Sequence, residues 1–317
     1  MSRSDEFSTE QTAGAGGPAV RGHQLSPEAA AYKAQRRPSV PFATPDLSDF
    51  DAVGRWRSET NALWGEDDDP MVSHERITIA AVDCLVAGPS HESADGGDVR
   101  TVIYAHGGGY VLGSAAVTIP ITARLGRTLR IVSVDYRQPP EHPYPAALDD
   151  VLAVCRKLTA DGSPVALAGD SAGGALALSA SVIAVADGIP VSAVVLLCPL
   201  LDHVSAREAH SADSAADVDE TGPLLECYVG NADPADPKIS PMRASLVGLP
   251  RVLIQTPADE PLARQARELR EHAEVAGVEI VLDLWPRMWH TWHYHALPEA
   301  DDALAEAAEF VAGCLSC

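Results

Sequence analysis

From about Arg76 onward, short runs of β-branched and aliphatic residues alternate with longer stretches of helical periodicity. The short runs predict strands over residues 77–86, 99–106, 129–136, 164–169, 191–198, 251–256 and 278–285. The longer stretches predict helices over residues 146–159, 172–186, 262–276 and 298–314. Near-continuous apolar strands separated by helices are typical of a mainly parallel sheet with helices on both faces. In such sheets, ligands bind beyond the carboxyl ends of the strands.

The N-terminal part of the chain departs from this alternation. We expect residues 1–22, most of them polar, to form a disordered arm. Residues 23–75 predict two helices, one beginning near Ser26 and Pro27, where the serine can act as N-cap, and one over 47–63. A polar interval over about 203–238 predicts an insertion. We therefore expect a main domain over 76–317, covered by a helical cap made from 23–75 and the insertion.

Composition and charge narrow the class of binding partner. The 317 residues carry a formal net charge of −22, which repels phosphate backbones and anionic membrane surfaces. The first residues lack the apolar segment of a signal peptide, and no stretch is apolar enough to span a bilayer. We expect a cytoplasmic protein that binds neither nucleic acid nor membranes, with most of its six cysteines buried as thiols. Cys314 and Cys317 lack a second pair, so no metal site is predicted there.

Residues 169–173 have the pattern Gly-x-Ser-x-Gly, with Ser171 at the centre. An apolar run ends at Ala168 and a helix of small residues begins at Ala172, so the serine falls on a turn between a strand and a helix. Such a turn exposes the hydroxyl at the end of the sheet, and side chains at Gly169 and Gly173 would strike neighbouring backbone. The following helix directs its amides and its positive dipole end at the hydroxyl. We therefore predict that Ser171 is a nucleophile.

Three consecutive glycines, 107–109, follow the strand predicted over 99–106. When a serine attacks an acyl carbonyl, the oxyanion that forms needs hydrogen-bond donors already in place. Glycines let backbone amides approach this charge without obstruction by side chains. We predict that the amides of Gly107, Gly108 and Ala172 form this oxyanion hole, and that His106 fixes the shape of the loop. A phosphate-binding loop is disfavoured because neither Lys-Ser/Thr nor Gly-x-Gly-x-x-Gly is present.

Residues 106–109 (His-Gly-Gly-Gly) and 169–174 (Gly-Asp-Ser-Ala-Gly-Gly) resemble the hormone-sensitive-lipase-like carboxylesterase family of the α/β-hydrolase superfamily. Residues 135–150 are similar to its Asp-Tyr-Arg…Pro-Glu-His-Pro segment, although Gln138-Pro139 stands where Leu-Ala is common. The resemblance covers about 76–317. It implies an α/β-hydrolase fold with a mostly parallel sheet, a helical cap and ester hydrolysis without a cofactor.

A serine hydroxyl needs a nearby base, and histidine has a suitable pKa. His290 lies in the loop entered at Pro286, after the last predicted strand, and resembles the family's Met-x-His segment. His293 is the alternative, because the boundary between this loop and the last helix can differ by a few residues. The spacing of His290, His293 and His295 does not place two imidazoles on one helical face, so no metal site is predicted.

The base in turn needs a carboxylate that holds its tautomer. Asp259 follows the strand over 251–256 and precedes a helix, and the order Ser171, Asp259, His290 matches that of α/β-hydrolases. The family usually has Gly-x-x-Asp here, whereas residues 256–259 read Thr-Pro-Ala-Asp. Because this changes the turn, Glu260 and Asp202 remain candidates for the same position.

Taken with the resemblance, these residues indicate a serine hydrolase that cleaves carboxylic esters of small or medium size through an acyl-enzyme. Hydrolysis of lactones, or removal of an acetyl group from a small metabolite, fits the same residues. A lyase (dehydratase) or a small-molecule receptor on the same fold is a further alternative. Candidate substrate-binding residues are Tyr110, Leu200 and Trp289. The expected partner is a small-molecule ester, a homodimer is compatible with the sequence, and no cofactor or metal is expected.

Overall fold

The computed structural model describes residues 19–20, 25–35, 43–64, 72–89, 100–206 and 222–314. Its strands are β1 (Ala19–Val20), β2 (His74–Ile79), β3 (Val82–Ala87), β4 (Thr101–Ala105), β5 (Arg130–Val134), β6 (Val165–Asp170), β7 (Val191–Leu197), β8 (Val252–Pro257) and β9 (Ile280–Trp285). Its helices are α1 (Pro27–Gln35), α2 (Phe50–Trp64), α3 (Ile119–Leu125), α4 (Ala146–Leu158), α5 (Ala172–Ala186), α6 (Gly222–Val229), α7 (Leu262–Ala276) and α8 (Pro298–Cys314).

The strands described here form one sheet in the order β1-β9-β8-β7-β6-β4-β5-β3-β2. All neighbouring pairs are parallel except β2–β3 and β3–β5, which are antiparallel. The prediction of a mostly parallel sheet is therefore confirmed. The single strand predicted over 77–86 is wrong, because the chain turns back at Ala80 and Ala81, both at positive φ, and pairs Ile79 with Val82.

Helices cover both faces of the sheet, as predicted. Alternate residues of β4 show this directly, since Ile103 and Ala105 pack in one apolar cluster while Val102 and Tyr104 pack in another. The first cluster contains the buried faces of α4, α5 and α7, and the second contains those of α3 and α8. A strand that is apolar on both sides is the sequence pattern that this arrangement requires. The short helix α3 was not predicted.

The N-terminal helices follow the prediction closely. Pro27 opens α1, and the Ser26 hydroxyl accepts a hydrogen bond from the Ala29 N–H at 3.0 Å, which is an N-cap. Ser26 is itself held by Glu299 of α8, which accepts from the serine N–H at 2.6 Å and from its hydroxyl at 3.0 Å.

The predicted disordered arm, 1–22, lies largely outside the described residues. Its described part differs from the prediction, because Ala19–Val20 forms β1 and pairs in parallel with β9. The predicted insertion contains α6, and residues 207–221 of it are outside the described ranges. The boundaries of the cap and of the main domain remain predictions.

Candidate active site

Ser171 lies on a sharp turn between β6 and α5. Its backbone has φ of +51° and ψ of −119°, a conformation that L-residues rarely adopt. A Cβ on Gly169 would meet the carbonyl oxygens of Gly173 and Ala105, and one on Gly173 would meet those of Ala105 and His106. The two glycines are therefore needed for the close approach of strand, turn and helix, as the sequence predicted.

His290 is the imidazole that reaches this serine. Its Nε2 lies 3.0 Å from the Ser171 Oγ, which is hydrogen-bonding distance. The loop carrying it follows β9, and the next residue, Thr291, has a left-handed backbone with φ of +52°. The Thr291 N–H donates a hydrogen bond to the Cys198 Sγ at 3.3 Å, which ties the loop to the end of β7.

The carboxylate beside the base is Glu260, whose Oε1 is in contact with His290 Nδ1. The prediction of Asp259 in this position is corrected, because its side chain is exposed and Glu260 takes the place at the imidazole. Pairing with β9 continues past Pro257, since the Ala258 N–H still donates to the Trp285 carbonyl at 3.0 Å. In the turn that follows, Glu260 and not Asp259 meets the base.

Asp202 and His293, the remaining candidates for acid and base, have different partners. Asp202 is buried and forms a two-point ion pair with Arg243, with contacts of 2.8 and 3.0 Å. His293 is fully buried, and its Nε2 lies 3.3 Å from the Gln255 side-chain oxygen. Burial lowers the pKa of His293 to about 3, so this imidazole stays neutral. Neither residue completes the site at Ser171.

The glycine loop after β4 lies beside the serine, but its first amide is already used. The Gly107 N–H donates to the Asp170 Oδ1 at 3.0 Å, so the prediction of Gly107 as an oxyanion donor is corrected. Within the described residues, the amides of Gly108, Gly109 and Ala172 have no hydrogen-bond acceptor. Gly108 and Gly109 have φ of +105° and +60°, values that favour glycine. The available donors are thus shifted one residue along the loop.

Asp170 connects this loop to the serine turn, a role that sequence analysis missed. Its Oδ1 accepts hydrogen bonds from Tyr104 at 2.9 Å and Tyr294 at 3.0 Å as well as from Gly107. The side chain is buried, and this burial raises the pKa of Asp170 to about 6 although its hydrogen bonds act in the opposite direction. The available signal was its position at the end of β6, directly before Ser171.

His106 lies under the glycine loop, where the sequence predicted a structural role. Its Nδ1 lies 2.8 Å from the Gly107 carbonyl, and its ring stacks on Tyr136 with centroids 4.1 Å apart. The Tyr136 hydroxyl donates to the His106 carbonyl at 2.8 Å. Burial lowers the pKa of His106, so the ring is a neutral part of the loop's support.

The three candidate substrate-binding residues are all buried. Tyr110 stacks on Tyr228 with ring centroids 3.6 Å apart, and Trp289 stacks on Tyr32 of α1 at 5.0 Å. The Leu200 N–H donates to the Ser171 carbonyl at 3.0 Å, which places it beside the nucleophile. Their part in substrate binding stays a prediction.

Helices from the predicted cap lie over the glycine loop. Val53 and Trp56 of α2 pack with Val111 and with Leu224 of α6. A Cβ on Gly109 would come 3.1 Å from a methyl carbon of Leu224, so α6 lies directly against the loop.

Polar contacts tie α2 to the same loop. Asn61 donates to the Gly113 carbonyl at 3.0 Å and accepts from its N–H at 2.9 Å. The Arg57 Nε donates to the Val111 carbonyl at 2.7 Å. The loop is therefore held from both sides, by α2 and by the serine turn.

A mostly parallel sheet whose strand ends bring together a serine, a histidine and a carboxylate, with the histidine between the other two, is typical of an α/β-hydrolase. Comparisons with known proteins agree, since residues 102–294 match a family model described as alpha/beta hydrolase fold. The acetyl-hydrolase of Streptomyces hygroscopicus is 37% identical over 226 residues, which cover 68% of this chain and 76% of that protein. An esterase of Acinetobacter venetianus is 32% identical, over 67% of this chain and 74% of that protein.

A solved esterase from the bacterial hormone-sensitive lipase family is also similar. It is 30% identical and superposes with a TM-score of 0.79 over 93% of this chain and 100% of that one. The chain therefore belongs to the hormone-sensitive-lipase-like carboxylesterase family of α/β-hydrolases, and it is an ester hydrolase. Among the described residues, no helix combines the length and the apolar character that a membrane span requires.

Proposed function

We propose that this esterase cleaves carboxylic esters of small or medium size through an acyl-enzyme on Ser171. His290 Nε2 takes the serine proton as Oγ attacks the ester carbonyl, and Glu260 holds the Nδ1 proton and stabilises the imidazolium. The oxyanion accepts hydrogen bonds from the amides of Gly108, Gly109 and Ala172. The imidazolium then protonates the leaving alcohol, and the same histidine activates the water that releases the acid.

The observation that carries this proposal is the 3.0 Å contact between His290 Nε2 and the Ser171 Oγ. It joins a base to a hydroxyl held at the start of a helix, next to three unused amides. The cost of the strained serine backbone, about 1–3 kcal/mol, is a cost that proteins accept mainly at functional sites. A receptor would need only to bind its ligand, so this serine–histidine contact favours catalysis.

The proposal is tested with p-nitrophenyl esters from acetate to laurate and with a fluorophosphonate probe. We expect Ser171→Ala to lower kcat by at least about 10³-fold, as loss of a triad nucleophile does. The probe should label the parent enzyme at Ser171 and leave the variant unlabelled. Ester turnover by Ser171→Ala at a rate near that of the parent, or an unlabelled parent, would refute the mechanism. An unlabelled serine in the parent would point to a lyase or a receptor, whereas labelling without turnover of these esters would point to an unusual substrate.

An acetyl ester is the first substrate to test. The relative from S. hygroscopicus is named an acetyl-hydrolase, which supports a short acyl group here as well. The comparison is between acetylated small alcohols and their butyrate and octanoate equivalents, with lactones as a separate group. A kcat/KM that rises steadily with acyl length would contradict the acetyl preference without affecting the acyl-enzyme mechanism.

A further inference from the structure

Cys198 lies at the end of β7, directly against the base and its carboxylate. Its backbone has φ of +47°, which is uncommon for a residue other than glycine. Its Sγ accepts the Thr291 N–H, and the side chain is fully buried. Within the described residues, one group of metal-ligating side chains brings its ligand atoms within 4.8 Å of one another, and it consists of Cys198, Glu260 and His290.

We propose that these three side chains form an inhibitory site for a thiophilic divalent cation such as Zn²⁺. Thiolate, imidazole and carboxylate are all ligands that Zn²⁺ accepts in tetrahedral sites. With metal–ligand distances of about 2.0–2.3 Å, such ligand atoms lie roughly 3.3–3.7 Å apart. The ligand atoms lie within 4.8 Å of one another, and the contact between Glu260 and His290 must open to admit a cation between them.

The site lies at a partly exposed edge of the sheet. The His290 side chain is 34% exposed and that of Glu260 is 14% exposed, but His290 Nδ1 and Glu260 Oε2 are buried, so a cation enters when the two side chains move apart. Cys198 then supplies the buried third ligand. Cys198 binds a cation as the thiolate, so its thiol proton is released when the cation binds.

A cation bound at this site would stop the transfer of the Ser171 proton to His290. The Nδ1 atom of His290 faces Glu260, so it is the ring nitrogen that would bind the cation. A neutral imidazole ligated at Nδ1 carries its single proton on Nε2. Nε2 would then donate to Ser171 instead of accepting its proton. Binding releases the thiol proton and leaves the enzyme without its base.

Sequence spacing could not have predicted this group. Cys198, Glu260 and His290 follow three different strands, β7, β8 and β9, and lie far apart along the chain. They meet only because neighbouring parallel strands end at the same edge of the sheet.

The test uses Co²⁺ as a spectroscopic substitute for Zn²⁺. It is added to the full-length protein carrying the substitutions Cys314→Ser and Cys317→Ser. This background removes the terminal cysteine pair as a competing site. We expect one equivalent of Co²⁺ to give a thiolate-to-metal charge-transfer band in the near ultraviolet. Cys198→Ala should abolish the band, while Cys155→Ala, which removes another buried thiol on α4, should keep it. The band needs no substrate, so it is independent of the proposed function.

Zn²⁺ inhibition of ester turnover is the second measurement. In Cys198→Ala, the loss of one ligand should raise the Zn²⁺ concentration for half-inhibition at least about 10-fold. Removing a residue that only hydrogen-bonds to a metal ligand already lowers metal affinity by about 10-fold or more. Each value is compared with the variant's own activity without metal, and Cys198→Ser serves as a second variant of similar shape. The proposal is wrong if both Cys198 variants keep the Co²⁺ band. It is also wrong if Zn²⁺ inhibits both Cys198 variants as strongly as it inhibits the control, Cys155→Ala.

Discussion

Glu260 faces His290 while its neighbour Asp259 faces solvent, so two adjacent carboxylates provide a matched pair of variants. Glu260→Gln keeps the shape of the side chain but removes the charge that stabilises the imidazolium. We expect kcat to fall by about 10²–10⁴-fold, as it does when a triad carboxylate is neutralised. Asp259→Asn should stay within about twofold of the parent, because an exposed carboxylate in water interacts weakly. Steady-state kinetics with a short ester checks both variants.

The reverse result would be informative. A large loss in Asp259→Asn with little change in Glu260→Gln would mean that the turn after β8 rearranges when substrate binds. Equal losses would mean that the two carboxylates act together, and the assignment of Glu260 alone would then fail.

A second prediction at the residue scale concerns the contribution of Asp170 to the free energy of unfolding. Its pKa is raised to about 6 in the folded chain, from the ordinary value of 3.8 that it has in the unfolded chain. Between these two values the folded state binds more protons than the unfolded state, so the free energy of unfolding falls as the pH rises. The contribution of this group should drop by about 1 kcal/mol between pH 5 and pH 7 and then level off.

Urea unfolding at several pH values, for the parent and for Asp170→Asn, checks this. The amide keeps an oxygen for Tyr104, Tyr294 and Gly107 but cannot titrate. The difference in unfolding free energy between parent and variant should therefore change by about 1 kcal/mol over that range, in the direction that favours the parent at low pH. A difference independent of pH would show that Asp170 keeps an ordinary pKa.

The sequence predicted Ser171 and His290 because their positions depend on patterns that are local in the chain. A strand, a glycine-flanked serine and a helix of small residues define the turn, and a loop after the last strand defines the base. Glu260 and the shift to Gly109 depend instead on contacts between distant segments. The Ala258 N–H is bonded to the Trp285 carbonyl just before the turn that presents Glu260, and the bond from Gly107 to Asp170 uses up the first amide.

At the scale of elements, α2 supports the glycine loop through Asn61. Its two hydrogen bonds hold Gly113, whose backbone has φ of +86° and lies so close to His106 and Gly107 that a Cβ would collide with both. We expect Asn61→Ala to lower kcat about 10-fold, which is a fraction of the 10²–10³-fold lost when a complete oxyanion donor is removed. Labelling of Ser171 by fluorophosphonate should slow by a similar factor.

Ser58→Ala is the matched control, because it changes an exposed position on the same helix. Its kcat should be unchanged. Circular dichroism separates a local effect from unfolding of α2, and alanine is a better helix former than asparagine, so helix content should not fall. An Asn61→Ala enzyme with the kcat of the parent would show that the loop holds its shape without α2.

Helices and strands were predictable where apolar residues recur at regular spacing along the chain. They were less predictable where a turn has residues that are unusual for turns. The helices after β6, β8 and β9 begin and end where the pattern placed them, because each has a long apolar face on the sheet. The hairpin between β2 and β3 was missed because its turn uses Ala80 and Ala81 at positive φ, where Asn-Gly is the usual signal. The short helix α3 has fewer than two full turns of pattern to detect.

At the scale of the whole molecule, charge gives the last prediction. The chain has 45 acidic against 23 basic residues, a net charge of −22, so its summed field repels an anionic substrate before any contact is made. The field reaches about 30 Å at 0.01 M salt and about 3–4 Å near 0.5–1 M, so added salt removes the repulsion. We expect kcat/KM for 4-acetoxybenzoate to rise several-fold, about 3–10-fold, over this range.

The uncharged methyl ester of 4-acetoxybenzoate provides the control, since it has the same scissile acetyl group and the same ring. Its kcat/KM should change by less than about twofold with salt, because a neutral molecule feels little of the long-range field. Dividing one salt response by the other cancels any effect of salt on folding or on the triad, both of which act equally on the two esters. A ratio that stays constant would mean that the acidic residues lie away from the approach to Ser171, and that the net charge serves solubility rather than substrate selection.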